Sequence, residues 1–296
     1  MHADAASRNE SLMYLRRSIH RIEKGLISRP LRDTFATDYI SETVHTFARM
    51  WAGTLADREE LSWAADVLEC YFHNTQTSQH PEVLRARAKW ETIGYKKGDG
   101  VPLVPFVPGE VPSEAATYSQ LHALSAHRRS TRWFLDKTVP RSALEDAVKV
   151  GLHAPSACNR QSFRVLAVDK PDLLQELAKI PMGIQGYEHQ IPLLVALIGQ
   201  YRGYENERDR HVIFVDGGLF ANGFILALES MGLSTCCINW PEINSKYDEV
   251  RNVIHLDADE RIVMLIAVGY ADPAQLVPRS SKRPANTVLG WNCDRK

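Results

Sequence analysis

Residues 98–112 (Gly-Asp-Gly-Val-Pro-Leu-Val-Pro-Phe-Val-Pro-Gly-Glu-Val-Pro) constrain this chain more than any other stretch. Proline fixes φ and lacks an amide donor, so Pro102, Pro105, Pro108 and Pro112 forbid helix and favour an extended connector. Because the connector is also apolar, it is expected to pack on a surface. It divides the sequence into a helical region, 1–112 including the linker, and a mixed region, 113–296.

Before the linker, Leu12, Leu15, Ile19, Ile22 and Leu26 recur at three- and four-residue steps, the stripe of a buried helix face. Further helices are expected over Phe35–Trp51, after Asp57 (a cap followed by an acidic first turn), and over Pro81–Tyr95. After the linker the period changes. Helices are expected over Ser113–His127, Pro140–Gly151, Pro171–Ile180 and Val215–Met231, with strands at Phe163–Val168, Leu193–Ile198, Thr235–Ile238 and Ile262–Val268. Alternation of this kind suggests a layered core containing both helices and strands.

Bulk properties exclude several classes. A net charge of −1 gives no reason to expect nucleic acid or an anionic membrane as partner. Five scattered cysteines without a CxxC spacing indicate neither a disulfide framework nor a zinc site; no metal is expected, and reduced thiols fit a cytoplasmic location. No signal-peptide segment is evident at the N-terminus, and no run approaches the ~20 apolar residues of a membrane span.

Two basic clusters and one polar loop carry the chemistry. Arg128, Arg129 and Arg132 surround Ser130 and Thr131; guanidinium groups and a hydroxyl match phosphate oxygens, although a solvated turn would look the same. Lys282-Arg283-Pro284 forms a second cluster. The loop Ala154–Phe163 presents Ser, Asn and Gln side chains, whose amides both donate and accept, as a polar heteroaromatic edge requires; the same residues could also simply close a turn.

Taken in order, these segments resemble the nitroreductase family of FMN flavoproteins over about residues 121–286. The match runs through Arg128-Arg129-Ser130-x-Arg132-x-Phe134 and Ala154-Pro155-Ser156-x-x-Asn159-x-Gln161. It continues through Asp216-Gly217-Gly218-x-x-Ala221-Asn222-Gly223, Met231-Gly232-Leu233, Cys236-Cys237-Ile238, Val268-Gly269-Tyr270 and Lys282-Arg283-Pro284. The resemblance implies an α+β fold with a central mixed sheet flanked by helices, here preceded by an all-helical region. It implies a homodimer with FMN at the subunit interface, the Gly/Ala-rich helix at 215–231 in the dimer core, and Val288–Trp291 reaching over the partner.

The resemblance also implies roles. Arg128, Arg129 and Ser130 would meet the FMN phosphate and ribityl chain, and Arg132 the ring region. Pro155, Ser156, Asn159 and Gln161 form the ring-facing loop. Cys237, Ile238 and Asn239 would lie against the flavin, and Lys282 or Arg283 would clamp the phosphate. No side-chain acid or base is expected; the flavin would carry hydride from NADH or NADPH to an electron-poor small molecule (a nitroaromatic, quinone or enone) in a ping-pong cycle. A dedicated biosynthetic reaction, and a flavodomain docked to a partner protein through its N-terminal helices, are the alternatives.

Three features depart from the family pattern: Ser162 after the Gln, bulky Trp240-Pro241, and a contiguous basic pair that leaves Lys282 and Arg283 equivalent. Cys236, Cys237 and Cys158 read as packing residues. His153 reads as a structural hydrogen-bonding residue. The charge-dense run Arg16–Lys24 reads as a solvated helix face or a site for an anionic substrate or partner.

Overall fold

A computed structural model describes residues 2–53, 58–96 and 100–292. Four helices precede the linker: α1 His2–Leu26, α2 Ile40–Ala52, α3 Arg58–Asn74 and α4 Pro81–Ile93. The apolar stripe of α1 does what its spacing predicts. Leu15, Ile19 and Ile22 are buried with Val44, Phe47, Leu68, Tyr71 and Trp90 from the other three helices in one hydrophobic cluster. α2 begins later than expected because Ala36 adopts φ +60 and turns the chain first. α4 is capped by His80, whose ring accepts from the Glu82 amide, and has Pro81 at its first position, where a missing donor costs nothing. The expected Asp57 cap lies outside the described residues.

The linker is extended but does not pack down as expected. Leu103 N–H donates to Asp66 Oδ2 at 2.8 Å, yet Phe106 is 83 % and Val107 91 % exposed. Both of these adjacent side chains, set between closely spaced prolines, are left uncovered by the described residues.

Beyond it, α5 (Tyr118–His127) opens with a capping box between Thr117 and Gln120, which sets its start after the expected Ser113. α6 (Arg141–Leu152), β1 (Phe163–Val168), α7 (Pro171–Ala178), β2 (Leu193–Gln200), α8 (Val212–Ser230), β3 (Ser234–Asn239), α9 (Asn244–Arg251) and β4 (Glu260–Gly269) follow. Sheet order is β1-β2-β4-β3. The architecture is α+β. The expected mixed sheet is antiparallel across its four strands; the parallel element among the described residues is a single bridge, Ser130 to Thr235.

β2 is buried along its whole length, as a continuous apolar run should be. Leu194, Ala196 and Ile198 join one cluster with residues of α7 and α9. Leu193, Val195 and Leu197 join another with α6 and α8. The sheet is therefore sandwiched between helical layers. Two of the three glycines of α8 serve close packing within the protomer: a Cβ on Gly223 would lie 3.2 Å from Gly151 Cα of α6, and one on Gly217 3.0 Å from Val263, whereas one on Gly218 would meet nothing within 4 Å. The segment Glu207–Ser230 is long and apolar enough to cross a membrane by composition, with half of its most apolar window buried inside the protomer.

Candidate functional site

The arginine segment is positioned by the sheet edge. β3 is an outer strand, and the chain after α5 pairs with it: Thr131 N–H donates to Thr235 O at 3.0 Å, beside the Ser130–Thr235 bridge. Phe134 pairs with Ala271 and is buried, as is Thr131. These anchors leave Arg128, Arg129, Ser130 and Arg132 partly exposed. Arg128 lies close enough to Cys237 to pull its thiol pKa down. Crowding by surrounding protein outweighs that effect and pushes the thiol up, although one side of Cys237 opens to the surface. The expected burial of both cysteines thus holds for Cys236 alone, because strand alternation turns the next residue outward. Ile238 is buried and Asn239 exposed by the same alternation. The Arg132 guanidinium sits 5.8 Å from the Tyr187 ring. Burial first, then the neighbouring Cys236, push that phenol up to about 12 against the pull of Arg132.

Arg129 lines a cavity of about 580 Å³ with His122, Ser125, Arg279, Ser281 and Lys282. The two basic clusters, some 150 residues apart in sequence, meet here. No acidic residue is among its lining residues. Arg283, by contrast, donates to Thr287 O of its own turn at 2.9 Å. The pair left equivalent by sequence is separated: Lys282 faces the cavity, and Arg283 braces the C-terminal segment.

The polar loop is built under strain. Cys158, Asn159 and Gln161 all adopt φ +53, a region that costs L residues roughly 1–3 kcal/mol each and that only Asn enters readily. Several bonds hold it. The buried Asp216 carboxylate accepts from Ala157 N–H at 3.0 and 3.2 Å and from Tyr204 O–H at 2.7 Å. Burial and that carboxylate together push the Tyr204 phenol far up, so it remains a donor. Gln161 N–H donates to Ser156 Oγ at 3.2 Å, and Gln161 Nε2 donates to Asn159 Oδ1 at 2.9 Å. Pro155 is exposed at the loop's entrance. None of the residues 154–163 lines the basic cavity.

Several contributors escaped the sequence reading. Arg160 is 7 % exposed; its guanidinium lies 4.9 Å from the Tyr204 ring, and its Nε has no hydrogen-bond partner among the described residues. Arg279 joins the cavity from just upstream of the recognised basic pair; the run Arg279–Arg283 was its signal. Asp216 was visible in a motif, but nothing in sequence tied it to residue 157. Trp240, the bulky residue that departs from the family pattern, is 4 % exposed and packs against Tyr247 at 5.8 Å in the core. His153 is exposed.

The nitroreductase family model matches residues 126–187 and 182–270. Residues 126–270 form a nitroreductase-family domain. Among curated proteins, human iodotyrosine deiodinase 1 is 23 % identical over 221 residues, covering 64 % of this chain and 75 % of the relative. The FMN reductase (NADPH) of Bacillus subtilis is 25 % identical, covering 56 % and 71 %. The NADH dehydrogenase of Thermus thermophilus is 26 % identical, covering 60 % and 98 %. An FMN-dependent nitroreductase from Clostridium difficile superposes with TM-score 0.50 at 20 % identity, covering 58 % of this chain and 98 % of that structure. A nitroreductase family protein from Streptococcus pneumoniae superposes with TM-score 0.50 at 22 % identity, covering 58 % and 100 %. These structural likenesses establish the fold. The domain is of an oxidoreductase family, and the N-terminal helices precede the matched residues.

Proposed function

We propose that this chain is an FMN-dependent oxidoreductase that draws electrons from NADH or NADPH and passes them to an electron-poor small molecule, working as a homodimer. The carrying observation is the cavity that gathers Arg129, Arg279 and Lys282 without a carboxylate among its lining residues, on a nitroreductase-family domain. The donor set fits the cofactor. Guanidinium and ammonium groups with Ser125 and Ser281 hydroxyls would hold a phosphate dianion by charge-assisted bonds. Asn159, Gln161 and Ser156 would orient the ring from the strained loop, and Arg132 would place positive charge near it. When bound, FMN supplies the two-electron chemistry; the protein supplies binding, orientation and electrostatics. Arg128, close to Cys237, would join β3 to the site.

Purified protein should be yellow, or become so when reconstituted with FMN, and should oxidise NADH or NADPH with a nitroaromatic or quinone acceptor. A colourless chain that takes up no FMN would overturn the reading.

A second reading, reductive removal of halogen from an aromatic amino acid, is favoured by the extent of the match to iodotyrosine deiodinases. Turnover of a halogenated tyrosine in preference to nitroaromatics separates the two. Docking of a partner protein through the N-terminal helices has less support. The exposed large apolar residues of α1 to α4 and their connections, Ile27, Leu31 and Leu84, are scattered and few among the described residues.

A further inference from the structure

α1 is more than the first helix of a bundle. Leu15, Ile19 and Ile22 face the bundle core, while the neighbouring Met13 and Arg16 reach the strained loop of the nitroreductase-family domain. Arg16 Nε donates to Asn159 O at 2.9 Å. Its guanidinium lies 5.2 Å from the Trp63 ring of α3. Trp63 is itself held by Glu23, whose Oε1 accepts from the indole at 2.9 Å. Removal from water pulls the Arg16 pKa down, and Glu60 opposes that shift. One step along, Ser162 Oγ lies 3.3 Å from Met13 Sδ and donates to Gln200 O at 2.6 Å. Arg17 pairs with Glu205. The Arg16–Lys24 run is therefore not the solvated face its charge suggests at its first member.

The bond from Arg16 is directed at one end of a short relay. Fixing the Asn159 carbonyl fixes the peptide plane of a residue at φ +53. The Asn159 side chain accepts from Gln161 Nε2, and the Gln161 backbone N–H donates to Ser156 Oγ. The relay thus runs through all three polar side chains proposed to orient the flavin ring. A guanidinium stacked on an indole presents Nε–H in a fixed direction; an ammonium on a flexible stem does not.

We propose that Arg16 is a positioning residue for the flavin loop, and that the helical region is thereby a working part of the cofactor site. The cofactor half of this proposal rests on the FMN reading above; the loop half does not. Coupling of this kind is reciprocal: if α1 favours the flavin-competent loop, bound FMN must favour the docked α1.

The test uses the full chain and its Arg16→Ala, Arg16→Lys and Arg17→Ala variants, with amide hydrogen exchange followed by mass spectrometry and FMN titration by flavin fluorescence. Arg16→Ala is expected to speed exchange of amides 157–161 and weaken FMN by roughly tenfold or more, the scale of one lost charge-assisted hydrogen bond. Arg16→Lys keeps the charge but is expected to restore little of either. Arg17→Ala, which removes an exposed ion pair, is expected to leave FMN affinity within about twofold. In the wild-type chain, FMN should slow exchange in residues 12–20. Wild-type exchange at 157–161 in both Arg16 variants, or losses in Arg17→Ala equal to those in Arg16→Ala, would sink the proposal. Should Arg16→Ala fail to fold, Arg16→Lys and the FMN-dependent protection of α1 still decide it. Should the wild type bind no FMN, the cofactor reading fails while the loop-exchange comparison still stands.

Discussion

At the scale of single residues, two positions turn geometry into sharp expectations. Gly203 sits where α1, the polar loop and the chain after β2 meet. A Cβ there would lie 2.7 Å from Ser162 Cβ and 3.1 Å from Met13 Sδ, inside contact distance of both. Overfilling a packed site typically costs ~1–3 kcal/mol, so Gly203→Ala is expected to lower the melting temperature, read by calorimetry, and to loosen the loop from α1. The basic pair gives the second expectation. Lys282 lines the cavity, whereas Arg283 is bonded to Thr287 O. Lys282→Ala should weaken FMN binding by ~1.5–3 kcal/mol, the value of a hydrogen bond to a charged group, and Arg283→Ala should cost much less. Equal losses in fluorescence titrations would mean that the C-terminal turn reorganises on binding.

At the scale of elements, a buried ionic network ties the strands together at the end of the sheet where β1 begins. Glu260 of β4 accepts from Arg164 of β1 at 2.8 Å through each carboxylate oxygen and from Gln200 of β2 at 2.8 Å. Arg202 holds Asp257 at 2.6 Å and also pairs with Asp259. Burial raises the Glu260 pKa, but the bonds from Arg164, Gln200 and the Asp257 amide outweigh it, so the group titrates below the ordinary range. Asp257 is likewise held low, chiefly by Arg202. A carboxyl depressed in the folded state stabilises fully above its unfolded pKa, near 4, and that stability is lost as pH falls through the lower folded value. Arg164→Met leaves a buried carboxylate without its main partner, a change that typically costs ~3–5 kcal/mol near neutral pH. The melting-temperature gap to wild type should therefore be widest above about pH 5 and narrow toward pH 3 as Glu260 protonates. A gap independent of pH would exclude the ionic account. Elements with strong periodicity were legible in sequence. β1 falls at Phe163–Val168 as expected, since a short apolar run after a polar, turn-forming loop marked it. α9 was missed because its sequence, Asn-Ser-Lys-Tyr-Asp-Glu-Val-Arg, buries only Tyr247 and Val250, too few apolar positions to show a stripe. The ionic network was invisible too: its members lie up to 96 residues apart, and only strand register brings them together.

For the whole molecule, what remained illegible is how the two halves of the site meet. Both basic clusters and the polar loop could be named from sequence, because each is a local run with its own donor chemistry. The meeting of Arg129 with Lys282 and the docking of Arg16 on Asn159 depend on tertiary placement, which no local spacing encodes. Within one protomer the loop does not line the basic cavity, and several large apolar side chains are left exposed. Val215 and Leu219 of α8 and Val150 and Leu152 of α6 are exposed on helices packed against each other, and Val288, Leu289 and Trp291 are exposed in the C-terminal segment, Trp291 by 80 %. Exposed apolar side chains of this kind suit an interface, and in the dimer proposed above a second copy whose cavity meets this loop would join the two half-sites across an isologous contact. The expected state in solution is therefore a dimer by light scattering. If α8 lies in that contact, Leu219→Asp would bury an unpaired carboxylate there, costing several kcal/mol, and should give monomer at micromolar concentration. Flavin should be lost in parallel with the dimer. A monomeric Leu219→Asp variant that keeps wild-type FMN affinity would show that one protomer completes the site by itself, and that the apolar face serves another purpose.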